Sequence, residues 1–197
     1  MTSLKEPTPI RQRILESVDR LFYRQGIRAV GVDAIAAELG ISKKTLYRQF
    51  PSKDDLVIAY LKGRFRPLPE SDKPPGEQIL RNFEWFARSL AMAEDYRGCA
   101  FLNALAELGS EESEARKLAV DFKESRRLWY RKLLSRLEVD DPDTLATQLA
   151  MLIDGAYAAM LVRRDPTVGQ AAIAAARVLL KNAGVPIAVT ESTPPPA

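Results

Sequence analysis

The large apolar side chains recur along the chain at helical spacing. Ile10, Ile14, Val18, Leu21 and Phe22 follow one another in steps that gather them on one stripe of a helix. They predict a first helix from Pro9 to Gln25, stopped at Gly26. Val32, Ile35, Ala36 and Leu39 form a short second stripe closed by Gly40. Leu46 and Phe50 give an equally short third helix, with Ser42 as its cap and Pro51 as its stop. Ser52 and Asp55 resemble a capping box, with Asp in place of the usual Glu, and open a fourth helix toward Arg66. Residues 67–76 are polar and proline-rich and read as a linker.

Longer helices follow. The fifth is predicted from Glu77 to Ala93, with Ile79, Leu80, Phe83, Phe86 and Leu90 inward, and the sixth from Ala100 to Leu108. The seventh runs from about Glu112 to Leu137 and carries Leu118, Phe122, Leu128, Trp129 and Leu133. Asp141-Pro142-Asp143 opens an eighth helix that reaches Arg163. Asp165-Pro166-Thr167 opens a ninth that ends near Asn182, with Gly184 in a natural terminating position. No stretch alternates in the manner of a strand. The fold class is therefore all-α, with about nine helices. The domain reading is 1–66, then 67–184, then a disordered tail over 185–197 that ends in three prolines.

Composition narrows the chemistry. With 197 residues, 46% of them hydrophobic and 28% charged, the chain has the balance of a soluble globular protein of one large or two small domains. Histidine is absent, which excludes Ser-His-Asp and Cys-His catalysis and imidazole-bound metal. A single cysteine, Cys99, excludes an internal disulfide and a thiolate cage. No glycine-rich phosphate loop occurs either, so neither an enzyme nor a metal or other cofactor is expected. The most apolar run, Leu145 to Val162, is interrupted by Gln148 and Asp154, and the polar stretch Met1 to Pro9 lacks the apolar core of a secretory signal. These features predict a cytoplasmic protein without a membrane partner.

Charge is uneven. Residues 1–66 hold 13 Lys/Arg against 7 Asp/Glu, whereas residues 67–197 hold 16 against 19. A basic first third joined to a mildly acidic remainder suits a polyanion at one end. Residues 32–50 pair two short helices across a turn at Gly40, and the second carries Ser42, Lys43, Lys44, Thr45, Tyr47, Arg48 and Gln49. Hydroxyls and amines suit phosphates, and an amide and a guanidinium suit base edges. An ordinary helical hairpin fits the spacing as well.

The residues themselves carry more. The stretch from Gly26 to Leu56, GIRAVGVDAIAAELGISKKTLYRQFPSKDDL, closely resembles the tetracycline-repressor-like (TetR) family of transcriptional regulators. The matching pieces are Gly26, Val32-Asp33-Ala34-Ile35-Ala36, Gly40-Ile41-Ser42, Thr45-Leu46-Tyr47, Phe50 and Ser52-Lys53. A looser match covers Gly98 to Glu107. The resemblance implies a helix-turn-helix domain that binds double-stranded operator DNA, followed by a domain that senses a small-molecule effector. It also implies a homodimer. Carried over by position, Tyr47 and Lys53 would hold phosphates, and Lys43, Thr45 and Gln49 would face the major groove. The chain departs from the pattern at Gly31, where Ser or Thr is common, and at Lys44 and Gln49, so no relative's operator transfers to it.

For the effector, the resemblance points to the fifth to eighth helices. Trp85, Phe86, Phe101, Phe122, Trp129 and Tyr157 are the aromatic candidates for the lining, and Asn103 and Glu107, one turn apart, are the polar ones. Such a lining favours a small apolar or aromatic molecule. Core packing is the alternative for each aromatic, and a constitutive DNA-binding protein without a ligand is the alternative for the whole. The apolar stripe of the eighth helix and the alanine-rich ninth predict a four-helix seam between two copies.

Overall fold

A computed structural model describes residues 9–68, 71–92, 95–109 and 113–187. Among them the regular structure is entirely α-helical: α1 (Pro9–Gln25), α2 (Val32–Leu39), α3 (Lys43–Gln49), α4 (Lys53–Arg64), α5 (Pro75–Ala91), α6 (Ala100–Leu108), α7 (Glu114–Leu134), α8 (Pro142–Arg163) and α9 (Val168–Asn182). The ends follow the local chemistry. Gly26, Gly40, Gly109 and Gly184 all take positive φ where helices stop. Ser42, Ser52 and Asp141 accept hydrogen bonds from the amides of Thr45, Asp55 and Thr144 and so cap α3, α4 and α8.

The chain forms two compact units. The first comprises residues up to Pro67 together with Asp95–Glu124. Ile14, Val18 and Phe22 of α1, Ile35 of α2, Leu46 of α3, and Leu56 and Leu61 of α4 make its core, with Phe101 and Ala104 of α6 and Ala115 and Ala119 of α7. The ring of Phe22 meets Tyr60 edge-on at 5.7 Å. The second unit comprises Leu68–Glu94 and the residues from Ser125 onward. Here α5 packs on α9 and on α8, and α8 packs on α9. Ile79, Phe83 and Phe86 of α5 are buried in this unit, as are Tyr130, Leu133 and Leu134 of the second half of α7 and the stripes of α8 and α9. Gly169 lets α9 lie against α5, since a Cβ there would stand 2.7 Å from the Cβ of Ala87.

Several expectations change. Residues 95–124 share the core of the first unit, although they fall inside the predicted second domain. The linker is shorter than expected, because Pro75 begins α5 and Gly76 is buried. Gly76 lies against Val185, Pro186 and Ile187 of the predicted tail, and Val185 is buried there. The rest of the predicted tail, 188–197, lies outside the described residues, as do Ala93, Glu112 and the stretch Met1–Thr8. α7 ends in a tight turn at Leu134, where Arg136 and Leu137 bond back three residues, and so stops short of Leu137. By length and composition alone α8 could cross a membrane. Its Leu145, Leu149, Ile153, Ala156 and Met160 are buried in the second unit.

Candidate nucleic-acid interface

α3 is seven residues long, too short to be stable alone, so its neighbours must hold it. Leu46 anchors it from inside with no exposed surface. At its start the Ser42 Oγ accepts from the Thr45 amide at 3.1 Å and lies 3.0 Å from Thr45 Oγ1. At its end Arg11 of α1 donates to the Gln49 carbonyl at 2.5 Å, and its guanidinium lies 4.0 Å from the centre of the Phe50 ring. α2 is tied to α1 in the same way. Arg13 donates to the Leu39 carbonyl at 3.2 Å, and the buried Ser17 hydroxyl donates to Glu38 at 2.5 Å, where Arg20 also binds. That hydroxyl, then Arg20, hold the Glu38 carboxyl below the usual glutamate range against the opposing effect of burial.

Locked at both ends, α3 turns Lys44, Tyr47 and Arg48 outward together, at the i, i+3, i+4 spacing of one helix face. Ser42 and Lys43 are exposed as well, and Thr45 and Gln49 are half-buried. Lys43 Nζ pairs with Asp33 of α2 at 2.5 Å. Both partners are largely exposed, and such pairs are worth about 0–1 kcal/mol, so a phosphate or base can compete for Lys43. Lys53, the first residue of α4, is half-buried. Burial pushes its ammonium down, and the nearby Glu107 carboxylate opposes that shift.

Glu107 and Asn103, expected as polar groups of an effector cavity, hold backbone within the first unit. Glu107 Oε2 accepts the Arg28 amide at 2.8 Å and lies beside Gly26, and Asn103 donates to the Arg97 carbonyl at 2.7 Å. Phe101 and Phe122 stack on each other with centroids 3.7 Å apart, and Phe65 meets Phe122 edge-on. Tyr23 bridges the same region to α1, since its hydroxyl donates to the Gly98 carbonyl and accepts the Arg97 amide, both at 3.1 Å. Cys99 is buried and starts α6, as a small apolar residue would. In the second unit Phe86 is buried and meets Tyr157 edge-on at 4.9 Å, Trp129 packs on Tyr130, and Trp85 is exposed. The sequence reasoning missed Arg11, Arg13, Ser17, Glu38 and the Glu107 anchor. Their partners lie 18 to 79 residues away, beyond any local pattern.

Comparisons bear on what this surface does. A family model described as "Bacterial regulatory proteins, tetR family" matches residues 14–60, from α1 into α4. The crystal structure of sav143 from Streptomyces avermitilis, described as a tetR transcriptional regulator, is 33% identical and superposes with a TM-score of 0.79, covering 91% of this chain and 100% of that one. SCO4454, a TetR-family transcriptional regulator from Streptomyces coelicolor, is 28% identical with the same TM-score, over 91% of this chain and 92% of its own. The HTH-type transcriptional regulator YjdC of Escherichia coli is 27% identical over 167 residues, 79% of this chain and 85% of YjdC.

Proposed function

The chain belongs to the tetR family of bacterial regulatory proteins and is a DNA-binding transcriptional regulator, and from that premise we propose that it represses transcription from an inverted-repeat operator until a small apolar or aromatic molecule releases it. The observation that carries the DNA half is α3, clamped at both ends with Lys44, Tyr47 and Arg48 facing out. Residues 1–66 act as the reading domain. Tyr47 and Lys53 grip phosphates with Ser42, Lys44 and Arg48, while Lys43, Thr45 and Gln49 meet base edges.

The working form is a homodimer through α8 and α9. Met151, Leu161, Val162 and Val178 of those helices are exposed, at 65%, 41%, 85% and 57%. Four large apolar groups on two neighbouring helices are a surface that a second copy would cover. The effector binds in the second unit near Trp85, Phe86, Trp129 and Tyr157, and the protein acts in the cytoplasm, where the DNA is. Coupling of about 1–3 kcal/mol between the sites would change operator affinity by roughly 5- to 150-fold.

Selection of bound duplexes from a random pool tests the reading. The expected product is an inverted repeat whose half-sites lie about 34–36 Å apart on one face of the duplex. Recovery of single asymmetric half-sites would overturn the dimeric reading, and recovery of no preferred sequence would overturn the operator.

A further inference from the structure

The second half of α7 turns one stripe inward: Arg126, Tyr130, Leu133 and Leu134 are all buried. Their spacing, i, i+4, i+7, i+8, is that of an apolar face, and an arginine occupies its first position. Arg126 is only 7% exposed. Its Nη1 is closed off from solvent and has no hydrogen-bond partner. No other buried side-chain nitrogen or oxygen among the described residues is left in that condition. A guanidinium cannot escape the cost by releasing its proton, so a buried one calls for an acceptor.

The surroundings belong to the second unit and come from three helices. One turn along α7, the Tyr130 hydroxyl donates to Oδ1 of the buried Asn82 on α5 at 2.7 Å. Burial raises the pKa of that hydroxyl; the charge of Arg126 opposes the rise, and Asp154 and Tyr157 of α8 add to it. The charges of Arg126 and Asp154 and the phenol of Tyr157 therefore all act on the Tyr130 hydroxyl. Asn82 and Tyr130 satisfy each other, and Asp154 offsets charge in this neighbourhood, but the N–H groups on Nη1 stay unfilled. Aromatic rings pack beside the two phenols: Phe83 stacks on Tyr130 at 6.0 Å, Trp129 lies 5.5 Å from Tyr130, and Phe86 packs on Tyr157.

We propose that Arg126 receives the acidic head of the effector, so that the molecule sensed by this regulator is an organic acid with an apolar or aromatic body. The guanidinium fork matches a carboxylate in shape and charge, and the rings packed on Tyr130 and Tyr157 in the same unit suit the body. The proposal rests on the reading that the second unit binds an effector. Because Nη1 is closed off, an acid reaches it only as the neighbouring side chains part, which ties filling of the site to a rearrangement around α7.

The test uses 3-phenylpropionate, decanoate and 1-naphthoate, each against its own primary amide, titrated into the full chain with tryptophan fluorescence as the readout. At least one acid is expected to bind tenfold or more tightly than its amide. Arg126→Met should remove that preference while leaving operator affinity unchanged. Equal binding of acids and amides, no binding by any of the six, or a preference that survives in Arg126→Met overturns the proposal. Should Arg126→Met fail to fold, the comparison of acids with amides on the unaltered protein decides. An amide that binds and releases the operator refutes the role of Arg126 but keeps the effector reading. A protein that holds no operator refutes the repressor reading and leaves the acid preference to be judged alone.

Discussion

Replacing Gly169 by alanine should destabilise the protein, whereas the same change at Gly63 should stabilise it. Both glycines lie in helices, one near the start of α9 and the other near the end of α4. A Cβ at Gly63 would meet nothing within 4 Å, so only the backbone term acts there. Gly→Ala gains about 0.4–1 kcal/mol by restricting the unfolded chain, and less near a helix end. At Gly169 the new Cβ would stand 2.7 Å from Ala87 Cβ and 2.8 Å from Ala87 Cα. Ordinary carbon contacts are about 3.5–4.0 Å, so α9 must retreat from α5 by roughly 1 Å. Ala87 Cα is backbone and cannot turn aside, and the retreat loosens the row Ala172, Ala176 and Leu180. Overpacking of this sort costs about 1–3 kcal/mol, which exceeds the backbone gain. For a chain of this size 1 kcal/mol is about 2–4 °C in Tm, so Gly169→Ala should melt several degrees lower and Gly63→Ala slightly higher. Thermal scans at one fixed protein concentration check this, because a dimer's Tm depends on concentration. A Gly169→Ala protein as stable as its parent would refute the claim that backbone contact sets the α5–α9 separation.

Tyr130→Phe should cost about 1–3 kcal/mol by leaving buried Asn82 Oδ1 without its donor, and Asn82→Leu in the same chain should recover much of it; urea unfolding of the single and double variants reads both. Because the Glu38 carboxyl titrates below its unfolded value, its contribution is complete above about pH 4.3 and is lost as pH falls through the folded value. The Tm of the parent should therefore fall more steeply than that of Glu38→Gln over that acidic interval, and parallel curves would show that the Ser17 hydrogen bond contributes nothing. Removing Lys44 and Arg48 together should weaken binding to all duplexes and flatten the salt dependence by about 0.9 for each phosphate no longer neutralised, and an unchanged slope in anisotropy titrations would remove both from the DNA-facing surface. Gln49→Ala should instead relax preference at one position per half-site, at about 1–3 kcal/mol for a bidentate pairing, and a uniform loss at every position would make Gln49 a positioning residue.

The legible parts of the molecule were those written in neighbouring residues. The bounds of α1, α2, α6 and α9 and the caps at Ser42, Ser52 and Asp141 depend on side chains within one turn of each helix end. The inward side of α3 was legible for the same reason, since Leu46 and Phe50 fix which side goes in. Contacts between distant segments were not. Glu107 reads as a free acid on a short helix until Arg28, 79 residues earlier, brings its amide to it. Val185 reads as the start of a disordered tail until Gly76 opens a place for it. Arg126 shares a stripe of α7 with Tyr130, Leu133 and Leu134, but its burial depends on distant segments that no local pattern records.

Hybrid regulators are commonly imagined as a cut after the fourth helix and a splice to a foreign sensor. For this chain such a cut, near residue 66, would tear a core open, because α6 and the first half of α7 complete it. Tyr23 would lose both partners of its hydroxyl, the Arg28 amide would lose Glu107, and the apolar surface that meets Phe101 and Ala104 would face water. The transplantable piece is discontinuous: residues 9–67 together with 95–124, with junctions at 67/68 and 94/95 and a third inside α7 at Glu124–Ser125. Inheritance of operator specificity by recombination should therefore require three crossovers rather than one.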